Sequence, residues 1–226
     1  MRILVVAATE FEIAPFAEKL KEASKIHPRI KVYEHRRHEI NLLVTGVGMV
    51  ATAAWCSQLL NQFSYDLAIN LGVCGSFDRG LELGQVVQVI SDRIADLGAE
   101  DCDDFLTAQD LRFFDENEFP FNDGRLVNSS PPPEPTLASL AQVDGITVNT
   151  VHGNERSIGA TIERLQPQVE SMEGAAFMYD CLIHQVPFAQ VRAVSNFVER
   201  RNREAWKLRE AISNLCDVGL RIVEEI

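Results

Sequence analysis

Short, uninterrupted apolar runs alternate along this chain with segments of helical periodicity, and that alternation narrows the fold more than any other feature. Arg2–Ala7 is such a run and reads as a strand buried on both faces. Phe11, Ile13, Phe16 and Leu20 then recur at helical spacing and predict a helix over residues 10–23. Further strands are expected at 31–34, 40–45, 66–71, 85–90, 146–151, Val169–Ser171 and 188–194. Helices are expected at 51–63, Glu155–Leu165, 173–184 and 204–224. Strands that alternate with helices imply an α/β fold: one domain over residues 1–226, with a mostly parallel sheet covered by helices on both faces. In open sheets of this kind ligands sit beyond the carboxyl ends of the strands, so the chemistry is sought there.

The pattern fails between residues 97 and 124, where Asp101, Asp103, Asp104 and Phe105 precede Phe113, Phe114, Phe119 and Phe121. A long irregular segment inside a compact domain is usually functional or disordered. Ser129, Ser130 and the three prolines that follow read as a stiff surface connection. A net charge of −12 repels phosphate backbones, which argues against nucleic acid as a partner. No apolar stretch has the length of a membrane span, and the N-terminal residues lack the form of a secretory signal. Five cysteines, an odd number with no Cys-x-x-Cys pair, point to reduced thiols and a cytoplasmic setting. The five histidines show no ligand spacing, so no metal site is expected.

Four strand ends hold the candidate chemistry. They are Ala8-Thr9-Glu10-Phe11-Glu12, Asn70-Leu71-Gly72-Val73-Cys74-Gly75-Ser76, Val169-Glu170-Ser171-Met172-Glu173-Gly174 and Arg192-Ala193-Val194-Ser195-Asn196. Glu10 and Glu12 compete within one acidic loop, and acids also favour a helix's first turn without any catalytic role. The same holds for Glu173, while Met172 also suits plain core packing and Ser195-Asn196 also suits a turn or cap. Glycines such as Gly72 and Gly75 let backbone approach a ligand closely, though a Gly-x-x-Gly-Ser turn is often only a strand-to-helix corner. Gly46-Val47-Gly48 lacks the third glycine and acidic partner of a dinucleotide fingerprint.

Taken together, these strand ends resemble the nucleoside phosphorylase/nucleosidase superfamily, in order and from residue 1 to about 220. The likeness is greatest to nucleosidases for methylthioadenosine and S-adenosylhomocysteine and to futalosine hydrolases. It implies a three-layer αβα fold around a twisted mixed, mostly parallel sheet, cleavage of an N-glycosidic bond, a purine nucleoside as small-molecule partner, no cofactor, and assembly as a homodimer or larger homo-oligomer. On this resemblance Glu12 positions and deprotonates water, Glu173 holds the ribose hydroxyls, and Met172 packs on the sugar. Gly46, Gly75 and Ser76 belong to turns near the ribose and nucleophile. Asn196 stands where adenine-specific relatives carry an aspartic acid. An amide cannot supply a proton, but it can donate a hydrogen bond to N7 or O6 of a base such as hypoxanthine. The run Phe197-Val198-Glu199-Arg200-Arg201-Asn202-Arg203 strengthens the likeness to futalosine hydrolases.

Phosphorylases of the superfamily use an arginine in the first loop, whereas this loop holds two carboxylates and no arginine. A phosphate dianion would be repelled, so water is the expected nucleophile. The expected reaction is futalosine plus water to hypoxanthine and dehypoxanthine futalosine, a step of menaquinone biosynthesis. A methylthioadenosine-type nucleosidase, an inosine phosphorylase and a purine-binding protein are the alternatives. Futalosine carries a carboxyphenyl ketone on the ribose 5′ carbon; the phenylalanines between 105 and 121 are candidates to cover it, and are equally suited to core or interface. Arg36, Arg37 and His38 have only their charge to recommend them for its carboxylate.

Overall fold

The computed structural model describes residues 1–102 and 104–226, so Asp103 of the acidic segment lies outside the described residues. Its elements are β1 (Arg2–Ala7), α1 (Glu10–Ala17), β2 (Lys21–His27), β3 (Ile30–His35), β4 (His38–Val44), α2 (Met49–Gln62), β5 (Leu67–Ser76), β6 (Val86–Ile94), β7 (Gly98–Asp101), β8 (Asp104–Thr107), β9 (Leu126–Val127), α3 (Pro135–Ser139), β10 (Ala141–Thr147), α4 (Glu155–Leu165), β11 (Val169–Ser171), α5 (Gly174–Ile183), β12 (Phe188–Phe197) and α6 (Leu208–Glu225). Ten strands make one mixed sheet in the order β11-β10-β6-β12-β5-β1-β4-β3-β2, with β9 on β6. The apolar run of β1 lies parallel between β4 and β5, and β5 lies parallel to β12. The antiparallel contact of β12 with β6 and the β2-β3-β4 meander make the sheet mixed.

β11 pairs with β10 on one side and with β5 on the other, which closes half of the sheet on itself. Cys74, Val87, Val89, Val143, Val169 and Val194 fill that closed half. Elsewhere the sheet is covered on both faces, as the alternation of strands and helices requires. α1 and α6 cover one face through Ile13, Phe16, Leu215 and Ile222. α2 and α5 cover the other through Cys56, Leu59, Phe177 and Met178. Each large apolar side chain so buried stabilises the fold by about 1.5–3 kcal/mol. Among the described residues no helix is long and apolar enough to cross a membrane.

Several boundaries differ from the sequence expectation for identifiable reasons. The helix expected over 10–23 stops at Ala17, and Lys21–His27 forms an edge strand instead. Every residue of that strand is exposed, so it carries no alternating pattern; its pairing with β3 alone makes it a strand. β10 occupies Ala141–Thr147 rather than 146–151, because a bulge between Val143 and Asp144 breaks the apolar run at its start. Residues beyond Thr147 leave the sheet and bring Val151 to a cavity described below. The irregular acidic segment contains the β7–β8 hairpin, and the last helix begins at Leu208 after a 3-10 turn at Arg203–Ala205.

Candidate active site

The carboxyl ends of β1, β5, β11 and β12 converge on a cavity of about 280 Å³. Glu12, Gly75, Met172, Glu173 and Asn196 all line it, although they come from four separate stretches of chain. Gly46 and Ser76 do not. The Ser76 hydroxyl is fully buried and donates to the carbonyl oxygens of Asp78 and Gln168. At the first glycine turn it is Val47 that lines the cavity and Gly48 that reaches the site.

Glu12 is held from two directions. Thr9 caps α1, and its N–H and hydroxyl donate to Glu12 Oε2 at 3.0 and 2.8 Å, while the Glu12 N–H returns a bond to Thr9 Oγ1. This is a capping box, so the helix-start role of an acid and its presence in the cavity are both realised. The other oxygen, Oε1, accepts from the Val73 N–H at 3.3 Å. Both ends of the carboxylate are thereby fixed by groups that belong to the fold itself.

Glu173 sits at the turn from β11 into α5 and is 8% exposed. Its Oε1 accepts from the Gly48 N–H at 2.9 Å. Gly48 has φ +97°, a conformation costly for residues with a side chain, and it opens α2. Burial pushes the Glu173 carboxyl above its ordinary value, and the charge of Glu12 adds to that; the Arg192 guanidinium and the Gly48 N–H pull the other way. Arg192 is itself almost fully buried, with Nη2 donating to Asn70 Oδ1. Its guanidinium lies so close over Gly72 that a side chain there would collide with it. One buried cation thus faces the two carboxylates from behind the cavity wall. Arg192 stood in the fourth strand end, but its position behind both acids follows only from the parallel register of β12 on β5.

Asn196 follows a bulge in β12, where the strand slips by one residue against β5. Its Oδ1 accepts from the Ser195 hydroxyl at 2.8 Å, and its Nδ2 donates to the Phe197 carbonyl at 3.0 Å. That leaves one N–H and one lone pair of the amide for a ligand. Gly75 lies against it; an added Cβ would stand 3.3 Å from Asn196 Nδ2.

A third buried carboxylate, Glu170, also lines the cavity and was not anticipated. Its oxygens are bonded to the backbone N–H of His152 at 3.1 Å and to Nδ1 of the same imidazole at 2.6 Å. Nε2 of His152 continues to the Thr161 hydroxyl at 2.8 Å. Cys74 borders the site too, but burial pushes its thiol up to about 12, so it stays protonated near neutrality and is no nucleophile. The cavity lining therefore holds three carboxylates and, among the described residues, neither lysine nor arginine.

The aromatic residues between 105 and 121 do not reach this cavity. Phe114 stacks on Phe121 at 5.0 Å, Phe121 packs against Tyr179 of α5, and the Arg164 guanidinium lies over Phe105. Arg36 and His35 pair with Glu224 at the C-terminal helix, and neither Arg37 nor His38 lines the cavity. Trp206, from the loop after β12, and Leu208, which opens α6, line the cavity instead.

A model of the phosphorylase superfamily matches residues 2–224. A futalosine hydrolase of Streptomyces coelicolor is 30% identical over 230 residues, which cover 96% of this chain and 93% of that protein. A 5′-methylthioadenosine/S-adenosylhomocysteine nucleosidase of Bacillus subtilis is 26% identical over the whole of both chains. Among solved structures, the futalosine hydrolase of Helicobacter pylori strain 26695 superposes with a TM-score of 0.82 at 15% identity, covering 100% of this chain and 98% of that one. The nucleosidase of Colwellia psychrerythraea in complex with adenine gives a TM-score of 0.79 at 21% identity, covering 100% and 95%. At these identities the superpositions establish a shared fold.

Proposed function

The chain belongs to the phosphorylase superfamily, and from that premise we propose that it hydrolyses the N-glycosidic bond of a 6-oxopurine nucleoside, with futalosine as substrate. Glu173 receives the ribose hydroxyls, Met172 packs on the sugar, and Asn196 faces the base. Water attacks C1′ while the C1′–N9 bond breaks; Glu12 takes the proton from the water. The base leaves with the electron pair of the broken bond and is reprotonated from solvent. Positive charge that builds on the ribose is offset by the two flanking carboxylates. Negative charge on the departing base is eased by the Asn196 amide, which suits hypoxanthine, whose anion leaves more readily than that of adenine. The products are hypoxanthine and dehypoxanthine futalosine.

The observation that carries this reading is the charge of the cavity lining: Glu12, Glu170 and Glu173 without a cation among them. Phosphate would meet a wall of carboxylates there, with the Arg192 guanidinium buried behind that wall rather than in the lining, whereas water enters freely. The Streptomyces coelicolor relative supports futalosine, while the Bacillus subtilis relative keeps an adenine nucleoside in contention. The same reading has the chain working as a homodimer or larger homo-oligomer.

Incubation with futalosine, inosine and methylthioadenosine, followed by chromatography of the free bases, tests the proposal. Release of hypoxanthine from futalosine, with little or no adenine from methylthioadenosine, is expected. Adenine as the faster product would replace it with the methylthioadenosine reading.

A further inference from the structure

The loop between β12 and α6 concentrates positive charge in a chain whose net charge is −12: Arg200, Arg201, Arg203 and Lys207 fall within eight residues. It folds back over the cavity because the Lys207 N–H donates to the Ser195 carbonyl at 2.8 Å and the Val198 N–H donates to the Ser76 carbonyl at 2.8 Å. Trp206, half-buried, lines the cavity next to Leu208. The guanidinium carbons of Arg201 and Arg203 stand 5.6 and 5.9 Å from the centre of the Trp206 ring. Both arginines are exposed and neither lines the cavity, so they stand outside it beside the Trp206 ring. Arg201 also adjoins Gly153, two residues past the cavity-lining Val151.

The carboxylates of the same loop leave these cations unneutralised. Glu199 pairs with Arg79 at 2.8 Å, and Arg79 in turn lies over Phe197, which anchors the start of the loop. Glu204 lies between Arg203 and Trp206, yet none of the ion pairs among the described residues includes Arg200, Arg201 or Arg203. An indole face holds a guanidinium by cation–π attraction and limits the orientations it must lose on binding. Two guanidiniums on one ring present a fork of N–H donors suited to a planar oxyanion.

We propose that Arg201 and Arg203, seated on Trp206, form a subsite for a carboxylate at the end of an apolar substituent on the substrate ribose. This rests on the nucleoside-hydrolase reading above and adds to it a specificity for charge at the cavity mouth. A substituent that leaves the sugar toward the loop meets the indole and Leu208 first and the two guanidiniums beyond them. The carboxylates of the interior repel an anion from the reacting end, so the substrate enters with its charged end outward.

Equilibrium binding by calorimetry tests the subsite in the Glu12→Gln chain, in which ligand is not consumed. The probes are inosine bearing a 5′ substituent that ends in a carboxyphenyl group, the same compound as its carboxamide, inosine 5′-monophosphate, and inosine itself. The carboxylate is expected to bind about tenfold more tightly than the carboxamide. That preference shrinks with added salt and vanishes in Arg201→Ala/Arg203→Ala, while inosine binds both chains alike. The variant with lysine at both positions keeps part of it. Equal binding of carboxylate and carboxamide, or a preference that survives the double alanine substitution, overturns the subsite. Tighter binding of the monophosphate than of the carboxylate overturns the choice of anion. Base release from the same probes by the unsubstituted chain is read separately; failure there refutes the hydrolase and leaves the binding difference to be judged by itself.

Discussion

In the proposed reaction, Asn196 is the residue on which base preference turns. Its amide offers one free donor and one free acceptor beside Gly75, and it cannot protonate a leaving group. In Asn196→Asp a carboxylic acid becomes available to protonate N7, so adenine becomes a workable leaving group. The expected result is a rise of roughly tenfold or more in the ratio of adenine release to hypoxanthine release, measured as kcat/KM on methylthioadenosine and futalosine. An unchanged ratio would remove Asn196 from the base subsite. Much of the cavity lining was legible in the sequence. Glu12, Met172, Glu173, Gly75 and Asn196 line one cavity. Ser76 does not line it, because a motif names a turn but not the direction of each side chain, and one residue along a strand reverses the face; at the first glycine turn Val47 lines it rather than Gly46. Glu170 stood in the third strand end without a role of its own, and Trp206 in no motif; the pairing of a short strand and the path of a loop bring them in.

At the scale of elements, the N-terminus of α5 decides where Glu173 stands. Beneath it lies Asp92, almost fully buried, which accepts from the Thr147 hydroxyl at 2.9 Å and from Gln190 Nε2 at 3.0 Å. The Thr147 hydroxyl accepts in turn from the Ala175 N–H at 2.7 Å. Gly174 fits only because it has no side chain, since an added Cβ would collide with both Asp92 and Gln190. Gly174→Ala should therefore push the first turn of α5 outward, costing about 1–3 kcal/mol and moving Glu173 off the ribose. The checks are thermal unfolding together with KM for the nucleoside. Full stability with wild-type KM would show that the network has room to yield. Helices with an apolar stripe were legible in the sequence here, whereas β2 and the β7–β8 hairpin were not. Burial writes a pattern into a sequence, and elements formed chiefly by backbone pairing at the surface leave little trace.

For the molecule as a whole, stability is coupled to pH through buried carboxyls. Asp180 of α5 is 4% exposed, its Oδ2 lacks a hydrogen-bond partner, and burial pushes its carboxyl up to about 7. Asp92 moves the same way, to about 6, again chiefly through burial. A carboxyl whose value is raised by folding favours the native state while protonated and opposes it once ionised. Its stabilising contribution is complete below the ordinary carboxylate value and is lost as pH climbs through the folded value. Asp180→Asn removes the ionisation, so at pH 8 it should be more stable than the parent by about 2 kcal/mol, roughly 4–8 °C in Tm. The gap should close only below the ordinary carboxylate value, at about pH 3, where the parent carboxyl is largely protonated in both states. Calorimetric scans at the two pH values decide this; an equal gap at both would show that charge at Asp180 is not the cause.

The layered α/β architecture was legible from alternation, and the placement of acids at strand ends carries the central proposal, that the cavity favours water over phosphate. Turnover in H₂¹⁸O, with and without added phosphate, tests that property directly. The label should appear in the hydroxyl at C1′ of the released sugar, at a rate that phosphate does not change. A sugar 1-phosphate as product, or turnover that requires phosphate, would contradict it.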